Sequence, residues 1–468
     1  MSRRQAFNQE EFEQNFFAQL RKVLTRQGDA GQGGIAVAYS GGVDSTVLLY
    51  LVTRFANANK IPIFAFHVHH GLSPNADQWQ AHCSRTCLSL GVHFDTAEVT
   101  VKNIGEGIEA AARGQRYLAL GAMCRVHHCS FLLTAHHLDD QAETMLMQLF
   151  RGTGLRGLSG MDVSNYAPQL LGNDRLLLAR PLLAEAKYRL LAYANKLGLS
   201  HVEDESNLEL CYTRNALRHH LMPAIEELAP NFAERLSRTA LHVRSANRLL
   251  DEIAANDLGF CLVGDALQLS SLKTLSDDRI DNLLRYWFAS RGLQLPSTSK
   301  LVEMRAQLFD ARDDARLTVQ HQQYSLHRYG GKIVLCNRST QSNHVGELSA
   351  HWNGEDFLSI PELKGRLIFL PSNEGVSASF LRKHRLSIRP RIGGERLRLA
   401  QNRPSRDLKS HFQSMRIPFW RRDKLPYIYI EDELFFVGLL GVDAHFHSVE
   451  DEACIELVWQ ADEERFEE

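Results

Sequence analysis

Short apolar runs alternate with longer amphipathic segments through the first part of the chain. Phe12, Phe16, Phe17, Leu20 and Leu24 recur at helical spacing and predict an amphipathic helix over residues 10–27, which Gly28, Gly31, Gly33 and Gly34 then end. Ile35-Ala36-Val37-Ala38-Tyr39 reads as a buried strand, and Thr46-Val47-Leu48-Leu49-Tyr50-Leu51-Val52 as the helix after it. Ile61-Pro62-Ile63-Phe64-Ala65-Phe66-His67-Val68 is a second buried strand, ending in a loop over residues 69–74. A helix carrying Trp79, Cys83 and Cys87 follows, then a strand at Val92-His93-Phe94. Residues 107–124 are strongly helical, 130–135 form another buried strand, and 136–150 a loop entering a helix. Strands alternating with helices predict a parallel α/β sheet. In such sheets ligands gather at the carboxyl ends of the strands. Three polar stretches fall there: residues 40–45, 67–71 and 136–141.

The pattern changes further on. Ala179-Arg180-Pro181-Leu182-Leu183 precedes a helix to about Lys196, and Glu203-Asp204-Glu205-Ser206-Asn207 is a polar turn. Pro223 and Pro230 punctuate the passage into a segment of long helical periodicity over 231–258, predicting a helical middle domain, with strands over 315–336. A polar linker spans 337–349, and short strands and turns follow. The expected architecture is an α/β protein with three domains. Residues 1–222 form a parallel-sheet domain, 223–336 a mostly helical domain and 350–468 a small α+β domain.

Composition narrows the class of protein. The 468 residues suffice for two or three domains. A net charge of −2 gives no global basic signal, so a nucleic-acid surface has to be local. One local field exists: Arg382, Lys383, Arg385, Arg389, Arg391, Arg396, Arg398, Arg403, Arg406, Lys409, Arg416, Arg421, Arg422 and Lys424 are opposed only by Glu395, Asp407 and Asp423. Phe412, Phe419 and Trp420 are interleaved, a combination that suits an RNA backbone. The eight cysteines include no Cys-x-x-Cys pair, so zinc ribbons and thioredoxin-like motifs are unsupported. Cys83 and Cys87, one helical turn apart, read as core. His67 and His69 share a strand face without an acidic or thiol partner in the pattern, which argues against zinc. No apolar run reaches the roughly 18 residues of a membrane span. The opening residues lack the apolar core of a secretory signal, so a reducing cytoplasm is expected.

The candidate chemistry centres on Ser40-Gly41-Gly42-Val43-Asp44-Ser45. Two glycines permit a sharp turn and a close backbone approach to a ligand. Amides in such a turn, followed by a helix N-terminus, cradle anionic oxygens, and Ser40 and Ser45 add hydroxyls. Asp44 fits beside a phosphate only with a cation such as Mg²⁺ between them. No Gly-Lys-Ser/Thr follows at Walker A spacing. His137-Leu138-Asp139-Asp140-Gln141 is the second cluster, whose carboxylates either hold a divalent metal or cap the next helix. Glu109, Arg113 and Arg116 fall on neighbouring faces of one helix, either as an intrahelical salt bridge or as a cationic side facing substrate.

Ser40-Gly41-Gly42-Val43-Asp44-Ser45 resembles the PP-loop of the N-type ATP pyrophosphatases. The whole chain is similar to the bacterial tRNA(Ile)-lysidine synthetase family. The matching stretches include His67-Val68-His69-His70-Gly71-Leu72, Glu109 to Tyr117, Thr134 to Thr144, Arg151-Gly152-Thr153-Gly154-Leu155, Arg180-Pro181-Leu182-Leu183, Glu203 to Asn207 with Arg214-Asn215, Arg389 to Arg396 and Ile417 to Asp423. His69 stands where many members carry Asn. The resemblance implies ATP- and Mg²⁺-dependent joining of L-lysine to carbon 2 of the wobble cytidine in the CAU anticodon of an isoleucine tRNA, through an adenylated cytidine. Gly41, Gly42, Ser40, Val43 and Ser45 would hold the leaving pyrophosphate. Asp44, with Asp139 or Asp140, would hold the metal. Arg113 would stabilise the α-phosphate or the substrate. Glu109 or Glu143 would meet the lysine amine, and His137 is either a general base or a structural histidine. Members are often homodimers, and nothing in the sequence marks a dimer surface. The rivals are a PP-loop thiolase, which usually needs paired cysteines, and a small-molecule amidating enzyme, which leaves the basic stretch unexplained. A third is a nucleotide-switched RNA-binding protein, which has no use for the ordered aspartates.

Overall fold

The computed structural model describes residues 7–25, 33–69, 71, 75–99, 108–203, 213–310, 317–321, 324–337, 346–448 and 453–462, with the side chains of 108–110 excepted. Two compact units divide the chain, residues 1–250 and 251–468. No helix among the described residues is long and apolar enough to cross a membrane.

In the first unit, α1 (Gln9–Leu24) leads to β1 (Gly34–Ala38), α2 (Val43–Asn59), β2 (Ile63–His69), α3 (Ala76–Leu90), β3 (His93–Glu98), α4 (Ile108–Val126), β4 (Cys129–Leu133) and α5 (Leu138–Phe150). Then come α6 (Leu155–Leu158), β5 (Ser164–Tyr166), α7 (Pro168–Leu171), β6 (Leu177–Ala179) and α8 (Lys187–Leu197). The described strands form one sheet in the order β3-β2-β1-β4-β6-β5, parallel except for the edge strand β5. Strand alternation decides which residues face which helices. Ile35, Val37, Phe131, Leu133, Leu177 and Ala179 share one core with Phe12, Phe16, Leu20, Leu51, Leu190 and Tyr193. The intervening Ala36, Phe66, Leu132 and Leu178 pack with Tyr117, Leu120, Cys124 and Leu171. Helices α1, α2 and α8 therefore cover one face and α4 and α7 the other. This two-sided burial gives the β1 and β4 runs their continuous hydrophobicity.

Cys83 and Cys87 are fully buried in the first of these cores, and burial pushes both thiols up to about 12. The strand expected at 92–94 extends to Glu98; it is the sheet edge, and its half-buried Asp95 and Thr96 and exposed Glu98 carry no apolar run to mark its extension. His67 Nδ1 donates to the Tyr39 carbonyl at 3.0 Å, and His69 meets Asp77 of α3 at 3.1 Å, an acidic partner invisible in strand spacing.

After residue 212 come α9 (Thr213–Ala216), a π-helical turn (Leu217–Leu221), α10 (Met222–Leu228) and α11 (Phe232–Cys261). The second unit continues through β7 (Leu262–Val263), β8 (Ala266–Gln268), α12 (Leu269–Leu272), α13 (Asp277–Ser290), α14 (Thr298–Asp310), β9 (Thr318–His321), β10 (Tyr324–Tyr329) and β11 (Lys332–Asn337). Helices and a sheet of order β7-β8-β11-β10-β9 enclose Trp287, Phe288, Leu301 and Met304. The helical reading of this region missed the β7–β8 hairpin, whose turn is set by Gly264 at φ +61°. Part of the expected linker, 338–345, lies outside the described residues.

The C-terminal region is a small α+β assembly, with sheets built from residues 348–350, 386–388, 427–430, 433–437 and 441–442, and from 357–360, 365–372, 376–377 and 454–461. Its core holds Trp352, Phe369, Phe412, Ile428, Phe436 and Trp459. The aromatics interleaved in the basic stretch serve packing. Phe412 is fully buried, Phe419 lies 5.6 Å edge-on from the His327 ring, and Trp420 stacks on that ring at 4.5 Å. Burial pushes His327 down to about 4. Arg422 is buried too, donating to the Ile417 carbonyl, whereas Arg398, Arg403, Arg406, Lys409, Arg416 and Arg421 are exposed.

The β1–α2 turn fixes the reacting end of the sheet. Gly41 has φ +85°, and a Cβ there would stand 2.9 Å from Cys83 Sγ and 3.0 Å from Val202 Cγ2. Gly41→Ala is expected to destabilise the first unit by roughly 1–3 kcal/mol, the cost of a strained backbone position. A denaturant titration checks this, and an unchanged midpoint would contradict the constraint.

Candidate active site at the carboxyl edge of the sheet

The PP-loop turn is tied down from below. Ser45 Oγ donates to the Gly42 carbonyl at 2.9 Å, and Thr46 Oγ1 donates to the same carbonyl at 3.0 Å. Val202 N donates to the Gly41 carbonyl at 3.0 Å, and Ser40 Oγ lies 3.1 Å from Ser45 Oγ. These bonds consume the carbonyls of the turn. Helix α2 begins at Gly42 without any side-chain cap, so its first amides have no intrahelical or side-chain acceptor. A helix N-terminus in this state is an anion site.

His137 occupies the centre. It is the N-cap of α5 and 1% exposed. Its backbone N donates to Asp140 Oδ2 at 3.0 Å, and its Nδ1 accepts from Asp140 N at 3.4 Å. Nδ1 being the acceptor in that cap leaves the Nε2 side of the ring facing Asp44 Oδ2 at 3.6 Å and Asp140 Oδ2 at 3.4 Å. Asp139 Oδ2 lies 3.7 Å from the ring and accepts from Lys187 N at 2.9 Å. Burial opposes a charged imidazole, but the close approach of Asp44 and the charges of Asp140 and Asp139 outweigh it and raise His137 above its ordinary value. Its neighbour His136 goes the other way. Burial, reinforced by Arg180, Arg113 and Arg214 against the pull of Asp140, lowers it to about 3, so it is neutral.

Two arginines hold the remaining acids. Arg218 Nη2 donates to Asp140 Oδ1 at 3.0 Å and to Glu143 Oε2 at 2.9 Å. Arg214 Nε pairs with Glu143 Oε1, and its Nη2 lies 3.7 Å from Asp140 Oδ1. Glu143 is 1% exposed. Packing of Leu138, Ala142 and Leu146 of α5 against Met222 and Phe232 brings α5 to this segment. Burial alone would raise the Asp140 carboxyl, but His137, Arg214 and the hydrogen bond from His137 N outweigh it and hold the group below its usual range.

Asp44, His137, Asp139, Asp140 and Glu143 thus form one connected cluster above the PP-loop. Arg113 lies with its guanidinium 5.1 Å over the Tyr117 ring. The Glu109 side chain, His70 and residues 204–207 lie outside the description. Sequence reading did not single out Arg180, Arg214 or Arg218 for a role. Their signals were present: Arg180 ends an apolar strand, and Arg214 and Arg218 are spaced one helical turn apart.

No group of three His, Cys or acidic side chains among the described residues is arranged to hold a metal ion by itself. Asp44 Oδ1, however, is buried without any hydrogen-bond partner. A buried carboxylate oxygen in that state suits a cation completed by phosphate oxygens, as Mg²⁺ at nucleotide sites commonly is.

The chain matches family models along its length: a PP-loop domain over 12–225, a TilS substrate binding domain over 267–334 and a TilS substrate C-terminal domain over 386–459. It is 39% identical to the tRNA(Ile)-lysidine synthase of Burkholderia pseudomallei over 446 residues, 88% of this chain and 90% of that one. It is 38% identical to that of Alkalilimnicola ehrlichii, covering 88% of this chain and 91% of that one. With that of Nitrosomonas europaea the identity is 36% over 95% of this chain and 94% of that one. With a PP-loop domain and both substrate domains matched, and relatives 36–39% identical over most of its length, the chain belongs to the tRNA(Ile)-lysidine synthase family.

Proposed function

We propose that the protein joins the ε-amine of L-lysine to carbon 2 of the wobble cytidine of a CAU-anticodon isoleucine tRNA, in two steps. The cytosine carbonyl oxygen attacks the α-phosphate of ATP and expels pyrophosphate. The lysine amine then attacks carbon 2 and expels AMP. The observation that carries this reading is the uncapped turn at Gly41 and Gly42 beside the unpartnered Asp44 oxygen, on a chain of this family. The amides after Gly42 receive the departing pyrophosphate. Asp44 and Asp139 would hold Mg²⁺, which neutralises charge on the phosphates. Asp140, already engaged by Arg218, positions His137. His137, buried and bonded within the cap of α5, suits holding these carboxylates in place better than proton removal. Arg113 supports the α-phosphate or the substrate. Glu143, paired with Arg214 and Arg218, or Glu109 is the carboxylate that meets the lysine amine. The target base leaves its stack most easily in a single-stranded anticodon loop.

The exposed cations of the C-terminal region give the tRNA a grip that is mostly phosphate and shape. The reading assigns catalysis to residues 1–222 and tRNA contact to 223–336 and 350–468, in a cytoplasmic enzyme.

Incubation with ATP, Mg²⁺, radiolabelled lysine and the CAU-anticodon transcript is expected to leave stable label in the RNA. Label that forms without ATP, or no label, would overturn the reading. Asp44→Asn is expected to cut incorporation on the order of 10²-fold or more, as loss of a charge-stabilising group does, while tRNA binding persists. Transcript binding should weaken on the order of 10³-fold between 50 and 200 mM salt, as with several phosphate contacts; a flat dependence would remove the basic face as the grip. The raised His137 adds stability that is fully present below its ordinary value of about 6.5 and is lost as pH rises through its folded value. The stability gap between wild type and His137→Gln should therefore narrow with rising pH in denaturant titrations, and a constant gap would contradict the raised value.

A further inference from the structure

Helix α5 buries Leu138, Ala142, Met145 and Leu146, and then its apolar side runs out into solvent. Leu149 is 57% exposed and Phe150 63%. The next helix, α6, lies against α5 and begins with Leu155, 44% exposed. Arg151 and Arg156 stand among these side chains, both exposed, and residues 144–161 contain no acid. A cation at a helix C-terminus complements the dipole. That accounts for Arg151, but for neither Arg156 nor the exposed ring. A group of large apolar side chains left in water beside guanidiniums marks a contact surface.

The segment beyond this surface is firmly braced. Gln141 of α5 brackets Met161: its Nε2 donates to the Met161 carbonyl at 3.1 Å, and its Oε1 accepts from Met161 N at 2.7 Å. Gly160, at φ +65°, lies so close that a Cβ there would stand 2.6 Å from Gln141 Nε2. From α11, Arg244 Nη2 donates to the Ser159 and Met161 carbonyls, each at 2.8 Å, and Arg244 pairs with Asp162 at the same distance. Gln141 follows Asp140, so the chain returns beside the acid cluster at Met161. Phe150 ends a helix that begins after His137, about 18 Å away along the axis at roughly 1.5 Å per residue. The exposed surface thus reaches from the reaction centre outward by the length of several nucleotides. Unpaired nucleotides next to a base held in the site lie within that reach. Their bases offer π faces to a ring, and their phosphates offer charge to guanidiniums. We propose that the α5–α6 segment, with Phe150 as a stacking ring and Arg151 and Arg156 as phosphate contacts, is the seat of the unpaired anticodon-loop nucleotides beside the wobble cytidine. This rests on the lysidine-forming reading, and it gives the first unit an RNA contact of its own besides the cations of the C-terminal region.

The test measures how the full-length chain binds two RNAs: the full transcript, and a hairpin with the CAU anticodon loop and stem but no acceptor stem. Phe150→Ala is expected to weaken both on the order of 10-fold, the loss of one stacked base, with the KM values for ATP and lysine unchanged. Phe150→Trp should keep the affinity and Phe150→Leu should not, because leucine is apolar but has no π face. Arg151→Gln and Arg156→Gln should each weaken binding and make log affinity less steep against log salt concentration by about 1. All three side chains are exposed, so the denaturant midpoints stay at the wild-type value. Hairpin affinity unchanged in Phe150→Ala and in both arginine variants would overturn the proposal. So would a Phe150→Leu variant that binds as well as Phe150→Trp. Self-association of the wild type that is lost in Phe150→Ala, with RNA affinity intact, would assign the surface to a second copy of the chain and overturn it too. The readout is binding, so the two readings fail separately: wild type that puts no labelled lysine into the tRNA would overturn the lysidine reading, whereas the hairpin affinities decide this seat.

Discussion

One buried imidazole ties the site together. His137 caps α5, and its ring lies within 3.7 Å of carboxylate oxygens from Asp44, Asp139 and Asp140. Three acids from two elements can share so small a volume only if positive charge sits among them. Arg214 and Arg218 supply it from one side, and the imidazole sits between the acids on the other. In return the acids raise the imidazole above its ordinary value against the effect of its burial. The cluster is interdependent, so removal of one member changes the charge of the others.

The arginine side of this network has a structural consequence. Arg218 bridges Asp140 and Glu143, and Arg214 pairs with Glu143, from a segment just beyond the sheet domain. Asp140 bonds to His137, and His137 faces the PP-loop aspartate. A continuous chain of ion pairs thus runs from the π-helical turn at 217–221 to Asp44. Low dielectric strengthens such a chain and makes each broken link expensive. The nucleotide turn and the elements after residue 212 are electrostatically one unit, although the hydrophobic cores beneath them are separate.

Much of this was legible before any coordinates. The β1, β2 and β4 runs are apolar because both faces are covered, and the Ser-Gly-Gly turn announced an anion cradle. Asp44, Asp139 and Asp140 were recognisable as a set because they end neighbouring strands. What stayed hidden depended on distance along the chain. The Arg218 partners lie 75 and 78 residues away, beyond the reach of helical spacing. The direction of the His137 shift needed the through-space approach of Asp44, since burial alone argues the opposite. Edge strand β3 was legible only at Val92-His93-Phe94; its polar continuation to Glu98 has no hydrophobic signature, at the edge of the described sheet. Phe419 and Trp420 counted with the basic stretch as suited to an RNA backbone because sequence cannot tell an exposed aromatic from one packed on His327.

The proposed order of events at the PP-loop is that ATP activates the RNA and not the amino acid. Exchange of labelled pyrophosphate into ATP, measured without lysine, tests this directly. That order predicts exchange that requires the CAU-anticodon tRNA and Mg²⁺ and needs no lysine. Exchange that runs on lysine and ATP in the absence of tRNA would mean that the amino acid carboxylate is adenylated, and would contradict it.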